Sequence, residues 1–245
     1  MKEPQERPRC PHCHSEVSDS FCAHCGLPQK VTEINGQYLL SEIGSVFNFD
    51  KGIFFTVREL LLRPGLSIRK FILEDRKRLV KPIFFIIVCS LVYSLMQRWL
   101  HFEDGYIGAG LKEASAVTTL ITWVSQNYGY ANILMAVVLA FWIHIFFRKY
   151  GFNFFEILVL LSYVMGIGML MFAVLGALDS LTGRKVLDTG SMLVFLYISW
   201  AIGSFFDKAK KINYVKAFVS YFLGMFTFMF LVIGVGLLVD WLNWS

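Results

Sequence analysis

The stretch FFEILVLLSYVMGIGMLMFAVLGAL, residues 154–178, decides the fold class of this chain. It carries one charged side chain, that of Glu156, and it contains no proline. A helix of about 20 predominantly apolar residues can cross a bilayer, and it keeps its backbone hydrogen bonds internal when no proline interrupts it. The stretch therefore predicts a transmembrane helix.

Four further stretches have the same character, at residues 82–100, 130–147, 190–206 and 218–239. The composition of the whole chain agrees, since 56% of its 245 residues are hydrophobic and 17% are charged. Such a balance lies outside the usage of ordinary globular proteins. The sequence therefore predicts an all-α integral membrane protein in which residues 82–245 form a domain of five transmembrane helices.

The basic residues predict how these helices are oriented. The first 81 residues hold 13 of the 23 Lys and Arg residues. The segments expected on that same side of the membrane carry 19 of them in total, and the segments on the opposite side carry 4. Because Lys and Arg accumulate on cytoplasmic loops, we expect the N-terminus in the cytoplasm and the C-terminus outside.

Residues 46–81, just before the first span, predict two amphipathic helices. Apolar residues recur at helical spacing between residues 46 and 62, and Pro64-Gly65 then interrupts the helix. Ser67 is suited to cap a second helix that begins at Ile68. The apolar residues expected to share one face of this second helix are Ile68, Phe71, Ile72 and Leu79.

The remaining surface of this segment is basic. On an anionic leaflet each cation contributes on the order of 1 kcal/mol, so the segment predicts cytoplasmic interfacial helices that contact lipid headgroups. A specific lipid or a nucleic acid is the alternative ligand, but a plain membrane anchor is favoured and no nucleic acid is expected. The candidate headgroup contacts are Arg63, Arg69, Lys70, Arg76, Lys77, Arg78 and Lys81.

Four cysteines near the N-terminus form two C-x2-C pairs separated by eight residues. A two-residue gap lets both thiolates of one pair reach a single ion, and four thiolates complete the tetrahedral shell of a structural zinc. Residues 1–30 therefore predict a zinc ribbon that holds one Zn²⁺, and residues 31–45 predict a linker. The expected ligands are Cys10, Cys13, Cys22 and Cys25.

Other uses of these cysteines are less favoured. A pair of disulfides or a redox-active C-x2-C suits an oxidising compartment, whereas the cytoplasm keeps thiols reduced. Iron remains an alternative to zinc, because thiolates also bind iron. His12, His14 and His24 are better explained as knuckle or surface residues than as ligands, although one of them could replace a cysteine.

Two motifs resemble known families. The C-P-H-C and F-C-A-H-C-G segments resemble the zinc-ribbon module at the N-termini of many bacterial membrane proteins. RELLLRPG at residues 58–65, followed by Ile68-Arg69, resembles the signature of an uncharacterised bacterial membrane family, frequent in the Bacteroidetes, that pairs such a ribbon with several spans. The resemblance covers residues 10–100 and implies a bacterial inner membrane but no activity. The five spans are also similar to the Yip-type membrane fold.

Few ionisable residues lie within the spans. His144 lies four residues before Arg148, and Glu156 lies three residues after Asn153. At 1.5 Å of rise per residue both side chains lie about 5 to 6 Å inside the same membrane boundary. His144 and Glu156 could therefore form a polar pair across a helical hairpin.

Small residues at four-residue spacing recur in the last three spans. This spacing lets helices approach closely, and packing within the bundle is the favoured explanation over a partner helix. The residues concerned are Ala173, Ala177, Ser199, Gly203, Ser220 and Gly224.

The residues favour a non-enzymatic function. A closed four-cysteine site and the absence of a recognisable catalytic motif predict a scaffold or accessory subunit with the zinc ribbon as its docking module for a protein partner. A lipid or small-solute transporter is the alternative, suggested by His144 and Glu156. An intramembrane enzyme is the least favoured of the three.

Overall fold

The computed structural model describes residues 10, 13, 15–16, 22–26, 52–100, 115–183 and 186–244. The predicted linker at residues 31–45 and the start of the first amphipathic helix at Val46 lie outside the described residues. Eight α-helices lie in the described part of the chain. They are α1 (Ile53–Leu62), α2 (Pro64–Leu73), α3 (Pro82–Leu100), α4 (Ala116–Gln126), α5 (Tyr128–Phe147), α6 (Phe154–Thr182), α7 (Val186–Asp207) and α8 (Lys211–Trp244), with a 3-10 turn at Arg148–Tyr150.

Five of these helices, α3 and α5 to α8, are long and apolar enough to cross a membrane. The prediction of five apolar helices is confirmed. Four of them, α5 to α8, are longer than the apolar stretches from which they were predicted. α6 continues to Thr182 and ends at Gly183, whose φ of 64° is a left-handed conformation that glycine adopts without strain. α8 begins at Lys211, seven residues before the predicted apolar stretch. Basic residues such as Lys211 and Lys216 are tolerated at the end of a span.

α6, which contains the stretch at residues 154–178, is the central helix of the bundle. Of the 18 most apolar consecutive residues in α6, 67% are buried, whereas the same fraction for α8 is 11%. It packs against α3, α5 and α7. Gly166 permits the contact with α3, because a methyl group there would lie 2.7 Å from the Phe85 ring, and Gly168 lies against Ile198 of α7.

The spans alternate in direction, so the bundle has two ends. The start of α6, the end of α7 and the start of α8 lie at one end with α2, and we call it the α2 end. α4 lies at the opposite end of the bundle, which we call the α4 end. There the backbone of α4 at Val117 packs on Gly236 of α8. There the Asp240 carboxylate accepts a hydrogen bond of 2.7 Å from the Ala116 amide, at the first residue of α4.

α1 and α2 differ from the sequence prediction in their boundary and in their packing. α2 begins at Pro64, where a proline needs no amide partner, and not at Ile68. Ser67 is therefore inside the helix and does not cap it. α2 ends at Leu73, so Leu79 lies beyond the helix that was expected to carry it. The apolar residues that were expected to face lipid are instead part of the protein core: Ile68, Phe71, Ile72 and Leu79 are all at most 3% exposed.

Candidate metal centre and a groove at the α2 end

The four N-terminal cysteines converge on one point. Their sulfur atoms all lie within 4.8 Å of one another. Cys10 Sγ lies 3.6 Å from Cys25 Sγ, and Cys13 Sγ lies 3.5 Å from Cys22 Sγ, so each contact joins one C-x2-C pair to the other. None of the four forms a disulfide. The cluster can hold a metal ion.

Short turns give the cysteines this arrangement. The amide of Cys10 donates to the Ser15 carbonyl at 2.9 Å, and the amide of Gly26 donates to the Cys22 carbonyl at 2.8 Å. Gly26 has a φ of 69°, so a residue with a side chain would be strained at the end of the second turn. The two turns therefore bring residues that are distant in sequence to one centre.

The geometry and the acidity of the thiols both suit a thiophilic cation. Around an ion with metal–sulfur distances of about 2.3 Å, tetrahedral geometry separates the sulfurs by about 3.8 Å. The two sulfur pairs are close to that value. A hydrogen bond of 3.2 Å joins Cys13 Sγ to Ser15 Oγ, and together with the backbone of Ser15 it lowers the pKa of Cys13 to about 5. Thiolates are the form that binds metal.

A second cluster of polar contacts attaches α1 and α2 to each other and to the segment before α3. The Glu59 carboxylate accepts a hydrogen bond of 2.9 Å from Ser67 Oγ and one of 3.0 Å from the Arg78 guanidinium. These donors, with that of Arg78 first, hold the pKa of Glu59 below its usual value. We call this three-residue arrangement the Glu59 clasp.

Acidification is expected to weaken the Glu59 clasp. Because the pKa of Glu59 is lowered in the folded protein, its stabilising effect is complete above its unfolded value near 4.3 and is lost as the pH falls through the folded value. Glu59→Gln should lower the free energy of unfolding by roughly 1 to 2 kcal/mol at pH 7. The difference between variant and wild type, measured by thermal unfolding in detergent, should shrink below about pH 4.

Glu74→Gln is the matched control for this measurement, because within the described residues the Glu74 side chain has no hydrogen bond or ion pair. Its effect should be small and independent of pH. An equal effect of both variants at pH 7 would contradict a specific role of the clasp.

Tyrosines of the bundle satisfy backbone carbonyls of the same segment. The Tyr197 hydroxyl of α7 donates to the Leu60 carbonyl at 3.0 Å, and the Tyr163 hydroxyl of α6 donates to the Val80 carbonyl at 2.6 Å. The Val80 amide in turn donates to Thr56 Oγ1 at 3.0 Å. Buried backbone groups need such partners, so these bonds fix the approach to α3.

α2 lies directly against the backbone of α7. A methyl group at Gly65 would overlap the carbonyl carbon of Ser204 and lie 2.6 Å from the Phe205 nitrogen. Four residues later, the Arg69 guanidinium donates to the Phe206 carbonyl at 3.1 Å, at the end of α7. A cation at this position satisfies carbonyls that lack a helical partner. The RELLLRPG segment thus docks α2 onto α7.

A groove of about 890 Å³ opens between α2, the end of α7 and the start of α8. We call it the α2–α7 groove. Its lining includes Leu62, Arg63, Arg69, Trp200, Asp207 and Lys208. The Asp207 carboxylate accepts from the Ala209 amide at 3.0 Å and pairs with Lys210 at 3.2 Å. The groove combines cations at the end of a span with apolar side chains.

The predicted headgroup contacts therefore occupy different environments. Arg69 and Arg78 bond to protein groups, as described above, while Arg63 lines the groove. Lys77 is exposed. The half-buried members of the set are Lys70, Arg76, Arg78 and Lys81.

His144 and Glu156 do not form the expected pair. Glu156 accepts a hydrogen bond of 2.8 Å from the Asn153 amide, and the Asn153 side chain accepts one of 2.9 Å from the Glu156 amide. This capping box stabilises the start of α6. His144 Nδ1 is buried and has no hydrogen-bond partner among the described residues. The sequence N-x-x-E was the signal for this cap.

The small residues of the last three spans lie at or near helix contacts. At Gly203 a methyl group would lie 3.0 Å from Tyr214 Cα, and at Gly224 it would lie 3.1 Å from Leu139 Cα. The side chains of Ala173, Ser199 and Ser220 are buried, and that of Ala177 is half-buried.

A family model matches part of the chain. The family model described as "Protein of unknown function (DUF3667)" matches residues 50–94. The matched residues include α1, α2, the Glu59 clasp and the first part of α3. No curated protein and no solved structure matches the chain. The chain is therefore similar to an uncharacterised family over the segment that packs α1 and α2 on the bundle.

Proposed function

We propose that this protein is a non-enzymatic scaffold or accessory subunit of a membrane complex, and that its N-terminal ribbon holds one structural Zn²⁺ and docks a protein partner. The observation that carries the proposal is the four-sulfur cluster. Four thiolates fill a tetrahedral shell, which leaves no open position for a substrate or an activated water. Such a centre stabilises a small fold that has no core of its own, and the folded module then offers a surface for recognition.

The bundle supports a structural role as well. Four ionisable residues that lie within or at the ends of the spans are His144, Glu156, Asp179 and Asp207, and the last three have local structural bonds. Glu156 caps α6, Asp179 accepts from the Val186 amide at 2.5 Å at the start of α7, and Asp207 bonds within the turn before α8. Only His144 has a buried unsatisfied atom among these four.

We further propose a bacterial inner membrane, with the N-terminus in the cytoplasm and the C-terminus in the periplasm. At the α2 end the connections between spans carry Arg148, Lys149, Lys208 and Lys210. The basic residues of α2 lie at the same end. An excess of Lys and Arg at one end of a bundle is typical of the cytoplasmic side.

Transport of a lipid or small solute remains the second proposal, with weaker support. A proton-coupled carrier uses ionisable groups that face one another or a water-filled path. His144 and Glu156 are not joined in the structure, and the carboxylate of Glu156 is held by the Asn153 amide. Scaffolding is therefore the better supported of the two functions.

Quantitative purification from native membranes tests the scaffold proposal. Wild type and Cys22→Ser/Cys25→Ser protein, tagged at the C-terminus, would be isolated in mild detergent and the co-purifying proteins measured by mass spectrometry. We expect a partner that is retained in fixed ratio by the wild type and is reduced at least tenfold with the variant.

Cys89→Ser is the control, because Cys89 is buried in α3 and is not part of the cluster. It should retain the partner. Recovery of the wild type alone in repeated preparations would contradict the scaffold, and equal retention by the ribbon variant would contradict the ribbon as the docking module.

A further inference from the structure

The α2–α7 groove has a charged end and an apolar end. Trp200 precedes Asp207 by seven residues on α7, which corresponds to about 10 Å of helical rise. Asp207 and Lys208 lie where the span ends, and Trp200 lies deeper along the helix that crosses the membrane. The groove therefore runs from the membrane boundary into the hydrocarbon region.

The lining of the groove has an excess of cations. Arg63, Arg69 and Lys208 belong to the lining together with one acid, Asp207. That acid is already neutralised by its 3.2 Å ion pair with Lys210. Within the described part of the chain, the Arg63 and Lys208 side chains form no hydrogen bond or ion pair. Two cations of the groove lining thus remain available to an anion.

The large apolar side chains of the groove lining are exposed. The side chains of Leu62, Leu66 and Trp200 are 63%, 52% and 40% exposed. These residues line the same groove as the cations. Since α2 packs on α7 through Gly65, the exposed leucines lie beside a transmembrane helix, where acyl chains are the surrounding solvent. A ligand that fills the groove must therefore be amphipathic.

We propose that the α2–α7 groove binds one anionic glycerophospholipid. The phosphate is held by Arg63 and Lys208, and the proximal part of an acyl chain lies against Leu62, Leu66 and Trp200. Charge complementarity sets the headgroup end, because basic pockets at the cytoplasmic ends of spans favour anionic lipids. Tryptophan suits the transition between headgroup and hydrocarbon. The volume of about 890 Å³ accommodates a headgroup with the first part of its chains.

Arg69 has a positioning role in this site. Its guanidinium bonds the Phe206 carbonyl at 3.1 Å and lies 5.9 Å above the centre of the Phe152 ring. It thereby fixes the end of α7, which carries Asp207 and leads to Lys208. Arg69 is for this reason left unchanged in the test.

The test measures lipid retention by native mass spectrometry of the full chain in a neutral detergent. The protein would be titrated with dioleoyl phosphatidylglycerol, dioleoyl phosphatidylcholine, glycerol 3-phosphate and inorganic phosphate. We expect one phosphatidylglycerol bound per chain at least tenfold more tightly than phosphatidylcholine, with no retention of the two soluble anions at the same concentrations.

Arg63→Gln/Lys208→Gln should weaken phosphatidylglycerol binding at least tenfold. The matched control is Arg58→Gln/Lys211→Gln, which removes the same charge from exposed positions of α1 and of the start of α8 that do not line the groove. This control should change the affinity less than twofold. If the first variant does not elute as a monodisperse species, two single variants give the same comparison. Lys208→Gln removes a cation that lines the groove, and Lys211→Gln removes a nearby exposed cation that does not line it.

Each other outcome overturns the proposal. Equal loss in both double variants would mean that lipid is held by general surface charge. Equal retention of phosphatidylcholine would mean that the cations do not select the headgroup. Retention of inorganic phosphate or glycerol 3-phosphate as tight as that of phosphatidylglycerol would identify a site for a free anion, without a contribution from the apolar end.

Discussion

Cys22→Ser is expected to abolish zinc binding and to unfold the ribbon. The Cys22 side chain is 2% exposed and its sulfur lies 3.5 Å from that of Cys13, so a serine would remove one thiolate from a closed shell. Metal binding to zinc-finger peptides contributes roughly 10 to 16 kcal/mol, and that free energy is the folding free energy of such a module. Elemental analysis of protein purified without chelator should find one zinc per wild-type chain and none in the variant.

A cysteine of the helical bundle, Cys89, provides the control for Cys22→Ser. Cys89→Ser changes a thiol that is fully buried beside Gly166 and should leave the zinc content unchanged. Helical circular dichroism of Cys22→Ser should also remain close to wild type, because the helices lie outside the ribbon. Iron in place of zinc would correct the metal but keep the site, whereas a metal-free wild type under reducing conditions would refute the metal centre.

Gly65→Ala is expected to destabilise the packing of α2 on α7. The added methyl group would overlap the backbone at Ser204, and backbone cannot give way as a flexible side chain can. Overpacking of this kind typically costs roughly 1 to 3 kcal/mol, and we expect the free energy of unfolding to fall by about 3 kcal/mol. Thermal unfolding in detergent should show a lowered midpoint, and limited proteolysis should cut between residues 52 and 81 faster than in the wild type.

Gly234→Ala is the matched control for this substitution. Gly234 is inside a helix, and a methyl group there would meet no atom within 4 Å apart from its chain neighbours and the nearby backbone of its own helix. Alanine is the better helix former by about 1 kcal/mol in water, so the midpoint should be unchanged or slightly raised. If both variants unfold alike, the close approach of α2 to α7 makes no specific contribution to stability.

The five apolar helices and the metal-ligand cluster were the parts that local sequence could specify. A bilayer imposes a length of about 20 apolar residues, which residues 154–178 satisfy without any knowledge of neighbouring helices. A C-x2-C pair likewise creates its own geometry, because the ligands of each pair are in one short turn. Cys10, Cys13, Cys22 and Cys25 lie together as their spacing predicted.

The packing of α1 and α2 required information that periodicity does not contain. An apolar stripe such as Ile68, Phe71 and Ile72 has the same spacing whether it faces lipid or protein. The structure buries it in the core, and Phe71 contacts Tyr163 of α6 with ring centres 5.4 Å apart. Tyr163 lies 92 residues further along the chain, a distance over which sequence pattern gives no pairing rule.

Polar side chains posed a similar difficulty. The positions of His144 and Glu156 in the sequence predicted that both residues lie near the same end of the bundle, as the structure shows. They did not indicate which groups the two side chains would contact. The Glu156 carboxylate accepts a hydrogen bond of 2.8 Å from the Asn153 amide, so it caps its own helix and does not reach His144. The Glu59 clasp and the bond from Arg69 to α7 were not found, because their partners are 8 to 137 residues distant.

The contact between Gly65 and Ser204 also constrains the order of events during synthesis. The ribosome must add the 139 residues that separate these two positions before α2 can meet its site on α7. At 5 to 20 residues per second this takes roughly 7 to 28 s. Throughout that interval the apolar stripe of α2 lacks the helix that covers it in the folded protein.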